Sequence, residues 1–159
     1  MRRLYLIRHA EAEFLGRGRG DHGRVLTEEG HAQARHLGEL LADAGIQLVL
    51  HSTADRAAQT ASGMGLAAGL RPVDALYNAG TVGLLRAISD LQDGVTIAAV
   101  VAHAPGIPAL VDELAGPDAD PHAAASVLHH FPTATVAGIE FGGTWDDLTG
   151  SRLFWAARG

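Results

Sequence analysis

The 159-residue chain contains no cysteine and no lysine. The first absence excludes disulfides, thiolate nucleophiles and cysteine-ligated metals. The second leaves arginine as the only strong cation, since all 12 basic residues are Arg. A single Arg therefore says less about anion binding here than it otherwise would. Aromatic residues are scarce, and no apolar run approaches the ~20 residues that a membrane span needs. Arg2 and Arg3 ahead of an apolar stretch imitate the opening of a signal peptide. Arg8-His9-Ala10-Glu11 cuts that stretch too short, so the cytoplasm is the expected location. A net charge of −6 argues against a general affinity for nucleic acid. The length is that of one domain, expected to span 1–159, with a core of ordinary size.

What is present is an alternation of strand and helix signals. Leu4-Tyr5-Leu6-Ile7 runs straight into Arg8-His9 and fits a strand covered on both faces, which need not alternate. Phe14 to Arg24 is a Gly- and Arg-rich loop. Its Arg-Gly alternation is too short, in too acidic a chain, for RNA binding. Thr27 suits a helix N-cap, with Glu28 and Glu29 in the first turn. Leu37, Leu40, Leu41 and Ala44 form that helix's inner face, and Gly45 ends it. Ile46 to Leu50 reads as a strand, Ala54 to about Gly65 as a helix, Val73 to Tyr77 as a weak strand and Val82 to Leu91 as a helix. Thr96 to Ala102 is a second clear buried strand, ending at His103. Ile107, Leu110, Val111 and Leu114 mark a fourth amphipathic helix, and Gly116 to Pro121 a turn-rich linker. Thr135 to Phe141 and Arg152 to Ala156, joined by Gly142 to Gly150, read as a closing antiparallel hairpin.

This order predicts an α/β fold, a three-layer α/β/α sandwich with a mostly parallel sheet and an antiparallel edge. In such sheets ligands sit beyond the carboxyl ends of the strands. Right-handed crossovers would put the ends of the first, second and fourth strands on one rim. Arg8 and His9, Arg56 at the start of a helix, and His103 would then converge. A phosphoryl group suits the guanidinium fork and the N–H groups of a helix start. Arg56 opposes the helix dipole there and needs an anion to offset it. A neutral imidazole is a competent nucleophile, and a second one can donate to a phosphoryl oxygen. The remaining histidines lack metal-ligand spacing: His31 and His36 are five apart, and His129 and His130 are adjacent. His51 closes the second strand and is either a rim residue or a backbone-satisfied one.

Five segments carry a resemblance that spans nearly the whole chain. They are Leu6-Ile7-Arg8-His9-Ala10-Glu11-Ala12, Asp21 to Gly30, Ser52 to Ala61 with its Arg-x-x-Gln-Thr helix start, Val101-Ala102-His103, and Phe131-Pro132-Thr133. In this order they resemble the histidine phosphatase superfamily, with its phosphoglycerate-mutase-like fold, and within it the small bacterial branch that includes the phosphohistidine phosphatase SixA. The resemblance implies that His9 is the nucleophile, with Arg8, Arg56 and His103 around the phosphoryl oxygens and Arg24 as a further phosphate-binding candidate, and that no cofactor or metal is needed. Many members carry a catalytic Glu after the third strand, often with a helical insertion. Here Leu76 to Gly83 holds neither. Asp21, with Arg24 nearby, is then a possible proton donor or a loop carboxylate that holds Arg24; Glu11 is a weaker candidate. Phosphohistidine leaves as neutral imidazole and needs less help from an acid than an alkoxide does. The expected partner is therefore a protein carrying phosphohistidine. The alternatives are a small phosphate ester, or a non-catalytic module that binds a phosphorylated ligand.

Overall fold

The computed structural model describes residues 1–159. Its strands are β1 (Arg2–Arg8), β2 (Leu48–Ser52), β3 (Gly69–Val73), β4 (Ile97–Ala102), β5 (Thr135–Phe141) and β6 (Arg152–Arg158). Its helices are α1 (Glu28–Leu40), α2 (Asp55–Gly63), α3 (Thr81–Ser89), α4 (Gly106–Leu114) and α5 (Pro121–Val127), with short 3-10 turns at Asp21–Gly23 and Asp74–Leu76. The strands form one sheet in the order β3-β2-β4-β1-β5-β6. β1, β2, β3 and β4 run parallel, β5 runs antiparallel to β1, and β6 runs antiparallel to β5.

β1 is apolar without alternation because both of its faces are covered. Leu4 and Leu6 join the core with Leu84 of α3, Ile107 and Leu110 of α4 and Val127 of α5. Tyr5 and Ile7 join the opposite core with Ala34 and Leu37 of α1 and Ala57 and Ala61 of α2. A strand at this position loses water from every side chain, which favours a run of large apolar residues. The parallel pairing of β1 and β2 with β4 sets their three carboxyl ends side by side, the arrangement the sequence predicts.

Four features differ from the sequence reading. The third strand is Gly69–Val73, not Val73 to Tyr77, and the later residues form the Asp74–Leu76 turn. β3 is an edge strand exposed along most of its length. It needs no apolar run, and it tolerates Pro72 where one side has no partner. Leu76 is apolar because the turn buries it in the core. α1 stops at Leu40, short of Ala44. α5, missed in the sequence, starts where Asp120 accepts from the Ala123 amide at 2.9 Å and Pro121 occupies the first turn. β1 and β6 extend slightly beyond their expected bounds.

α1 and α2 approach each other closely at Gly38, where a Cβ would overlap the Met64 carbonyl. Gly38→Ala should therefore destabilise the fold by about 1–3 kcal/mol, the usual cost of forcing volume into a packed interface. Urea unfolding at equilibrium checks this, and an unchanged midpoint would show that the two helices part easily.

Candidate active site

The backbone of residues 8–10 is pinned from three directions. His9 N donates to Ala102 O at 3.0 Å, continuing the ladder from β1 to β4. Ala10 N donates to Thr60 Oγ1 at 3.0 Å, and Thr60 Oγ1 donates to Arg56 O at 2.7 Å. Fully buried Thr60 thus ties the turn that carries His9 to the helix that carries Arg56. The Ala134 amide is shared between Arg8 O and His9 O at 3.1 and 3.0 Å. Ala134 holds φ +58, a left-handed conformation that an alanine adopts only when its surroundings over-determine it.

His9 is only 6 % exposed. Its Nδ1 lies 2.8 Å from Ala10 O, a pure acceptor, so Nδ1 carries the proton and Nε2 keeps its lone pair. His103 stands beside it, with ring centroids 5.2 Å apart. His103 Nε2 lies 2.8 Å from Ser52 Oγ, which also accepts from Ala54 N at 3.2 Å. Ser52 is wholly buried, and its hydroxyl proton has His103 Nε2 as its acceptor. This assignment leaves His103 Nδ1 as an N–H donor. Arg8 donates from Nη1 to Phe131 O at 3.0 Å. Arg56, 6 % exposed, donates from Nη1 to Asp21 O at 2.8 Å and from Nη2 to Asp21 Oδ2 at 3.2 Å. Arg8 Nε, Arg56 Nε and His103 Nδ1 are buried with no partner in the protein. Buried donors of this kind are costly unless something accepts from them, and an oxyanion would.

The electrostatics follow from burial and clustered cations. Burial, followed by His103, Arg56 and Arg8, lowers the His9 pKa to about 3 against the opposing bond to Ala10 O. Burial, with Arg56 next, lowers that of His103 to about 4. Burial also lowers the Arg8 guanidinium below its usual value. The Tyr77 hydroxyl, with Arg56 and Arg24, holds the Asp21 carboxyl below the ordinary range, against some burial. Asp21 is thus a carboxylate.

The structure therefore brings together Arg8, His9, Arg56 and His103. Arg24 reaches the site only through Asp21, with Nε 3.1 Å from Oδ1, while its Nη1 donates to Glu13 O. Glu11 is turned away, accepting from the N-cap Thr27 hydroxyl at 3.1 Å. His51 is buried, its Nδ1 bonded to Ser52 O at 2.9 Å, so it is backbone-satisfied and not a rim residue. Sequence reasoning missed Ser52, Thr60 and Tyr77 as individual contributors. Thr60 was visible only as part of the Arg-x-x-Gln-Thr start, and nothing local marks Ser52 or Tyr77. A cavity of about 250 Å³ opens beside Arg56 and His103, walled by Tyr77, Asn78, Gly80 and Pro105. The largest cavity, about 510 Å³, is lined by none of the converging residues and lies against Trp145 and Glu113. No group of three or more His, Asp or Glu side chains is placed to hold a metal ion.

An α/β sheet that sets a buried, oriented imidazole among two guanidiniums and a second imidazole offers the chemistry that suits an oxyanion. Comparison with known proteins then places the chain. The family model for the histidine phosphatase superfamily (branch 1) matches residues 4–76. A candidate phosphohistidine phosphatase SixA from Nakamurella multipartitia is 34 % identical, with a TM-score of 0.87 over 99 % of this chain and 95 % of its own. The protein histidine phosphatase SixA complexed with tungstate is 26 % identical, with a TM-score of 0.74 over 98 % of this chain and 96 % of its own. An uncharacterized Mycobacterium leprae protein is 33 % identical over 130 residues, 80 % of this chain and 81 % of its own. The chain belongs to the histidine phosphatase superfamily, in its SixA-like branch. Phosphatase chemistry is the activity class that this membership implies.

His9 and His103 should stay neutral in the folded protein as the pH falls well below 6, and histidine proton resonances followed by NMR check this. Both ring signals titrating near 6.5 would contradict it. The sign for stability follows. Unfolded histidines take up protons around pH 6.5, whereas these two do so only near 4 and 3 when folded. Unfolding therefore binds protons between those limits. The contribution of the pair is complete above about pH 6.5 and is lost progressively as the pH falls towards 4 and then 3.

Proposed function

We propose that this protein is a phosphatase that works through a covalent phosphohistidine at His9 and removes phosphate from phosphohistidine on a partner protein. The observation that carries the reading is the tautomer of His9. Its Nδ1 proton is committed to Ala10 O, so the Nε2 lone pair of this buried ring is available at neutral pH.

In the first step His9 Nε2 forms a bond to phosphorus as the bond from phosphorus to the substrate's ring nitrogen breaks. A substrate imidazole protonated on its other nitrogen leaves neutral, with no acid from the enzyme. In the second step a water oxygen attacks phosphorus and the bond to His9 Nε2 breaks. His9 has kept its Nδ1 proton on Ala10 O throughout, so it too leaves as neutral imidazole. The water's protons stay with the phosphate or pass to solvent. Arg8, Arg56 and His103 Nδ1 provide the donors for the phosphoryl oxygens, and such aimed donors are the main source of catalysis when charge is spread over oxygens. Arg24 orients Asp21 and does not hold phosphate directly.

Support for a protein substrate comes from three features. No segment between Leu76 and Gly83 adds a carboxylate or a lid. Asp21 is ionised and donates a proton only after first acquiring one. The SixA relatives carry phosphohistidine phosphatase names. The expected setting is the cytoplasm. No helix is long and apolar enough to cross a membrane.

The test compares a phosphohistidine protein, a phosphoserine peptide and small phosphate esters, with a chelator present. Wild type should release phosphate fastest from phosphohistidine. His9→Ala should lower turnover by about a thousandfold or more, as loss of a nucleophile does. Arg56→Ala should lower it by roughly a hundredfold or more. Faster turnover of small esters would assign the substrate to that class. Phosphate binding without turnover would make the chain a binding module, and loss of activity to the chelator would show that a metal takes part.

A further inference from the structure

Asp21 makes contacts that a donor role alone does not require. Arg56 Nη1 donates to its backbone carbonyl at 2.8 Å and Arg56 Nη2 to its Oδ2 at 3.2 Å. The same Oδ2 accepts from the Tyr77 hydroxyl at 2.5 Å. Oδ1 lies 3.1 Å from Arg24 Nε. A carboxylate oxygen is thus already seated on Nη2 of the guanidinium whose Nε has no protein partner and is left for the phosphoryl group. Guanidinium donors engage carboxylate and phosphoryl oxygens in the same way, and two anions at one edge repel each other. The substrate and Asp21 compete for Arg56.

We propose that Tyr77 is a positioning residue that holds the Asp21 carboxylate on Arg56 as a stand-in for the phosphoryl group, so that binding and release of phosphate are exchanges of one anion for the other. The inference rests on Arg56 being a phosphoryl-binding group. The parts that hold Tyr77 form one braced unit. Its ring meets His22 edge-on at 4.7 Å and His103 at 5.8 Å. His22 Nε2 lies 3.1 Å from Thr53 Oγ1, which donates to Asp74 Oδ1 at 2.7 Å. The Asp21–Gly23 turn, the end of β2 and the turn after β3 are therefore linked around the pocket mouth.

The exchange needs little motion. Rotation of the Asp21 side chain takes Oδ2 off Arg56, and Arg24 remains beside Oδ1, so the carboxylate keeps one cation when it leaves the other. Seated on Arg56, the carboxylate neutralises that buried cation. After hydrolysis its return to Arg56 displaces inorganic phosphate and favours product release. Tyr77 sets the balance because its hydrogen bond stabilises the seated carboxylate and not the phosphate complex.

Calorimetric titration with inorganic phosphate tests this on the intact protein, free of any assumption about the substrate. Tyr77→Phe should bind phosphate roughly threefold tighter, the effect of one neutral donor. Asp21→Asn should bind it about tenfold tighter or more, the effect of a charged partner. Adding Tyr77→Phe to Asp21→Asn should give no further gain, because Tyr77 acts through the carboxylate. If the Tyr77–Asp21 pair instead preorganises Arg56 for phosphate, Tyr77→Phe will weaken binding or leave it unchanged, and the proposal is overturned. The same holds if Tyr77→Phe gives its full gain in the Asp21→Asn background. Arg56→Ala separates the two levels. Loss of phosphate binding in Arg56→Ala, with no gain in Tyr77→Phe, removes the exchange and leaves the pocket reading standing. Binding insensitive to Arg56→Ala overturns both.

Discussion

A buried neutral imidazole with one nitrogen committed and the other free is the constraint on which the rest of the molecule depends. Burial alone would keep His9 neutral but would not choose which nitrogen is free. The Ala10 carbonyl makes that choice by taking the Nδ1 proton. For the bond to persist, the chain from Arg8 to Ala10 must not move. β4 holds it through Ala102, α2 through Thr60, and the segment before β5 through Ala134. The strained backbone of Ala134 is consistent with this demand, since its amide serves two carbonyls of the nucleophile's turn at once. Strand burial, helix docking and the β5 crossing therefore serve one tautomer.

The second constraint is charge. Arg56 lies at the start of a helix, where the dipole opposes it, and is nearly excluded from water. Arg8 is partly buried next to the two imidazoles. Burial, and after it the positive charge concentrated in this way, lowers the pKa of both histidines, and the Nε–H groups of both guanidiniums have no protein partner. A fold can carry that arrangement only if an anion is within reach. Asp21 meets the need by placing its carboxylate on Arg56. The donors left without protein partners are those that the proposed function gives to a phosphoryl group.

Much of this was legible in the residues. A non-alternating apolar run that ends in Arg-His is a buried strand ending at a site. Asp55-Arg56 after a short strand is a helix start with a misplaced cation, and His103 closes another apolar run. These signals are local, because burial on both faces and capping leave marks within a few residues. β3 was misplaced because an edge strand has no such mark: it is exposed, and turn residues nearby were more apolar than the strand itself. α5 was missed because seven residues capped by Asp-Pro look much like the turn that precedes them. Ser52, Thr60 and Tyr77 were passed over for a different reason. A hydroxyl becomes important only when its partner is known, and the partners lie 51, 50 and 56 residues away in the chain.

The sequence by itself determined the covered α/β sheet, the family, and the set Arg8, His9, Arg56 and His103, because hydrophobic patterning and residue type at strand ends are short-range properties. Only the tertiary structure decided which nitrogen of His9 is free, that Ser52 supports His103, that His51 and Glu11 face elsewhere, and that Asp21 rests on Arg56 with Tyr77 behind it. Those outcomes depend on hydrogen-bond direction and on which distant groups meet at the strand ends. Neither is specified until the strands are paired and the helices packed.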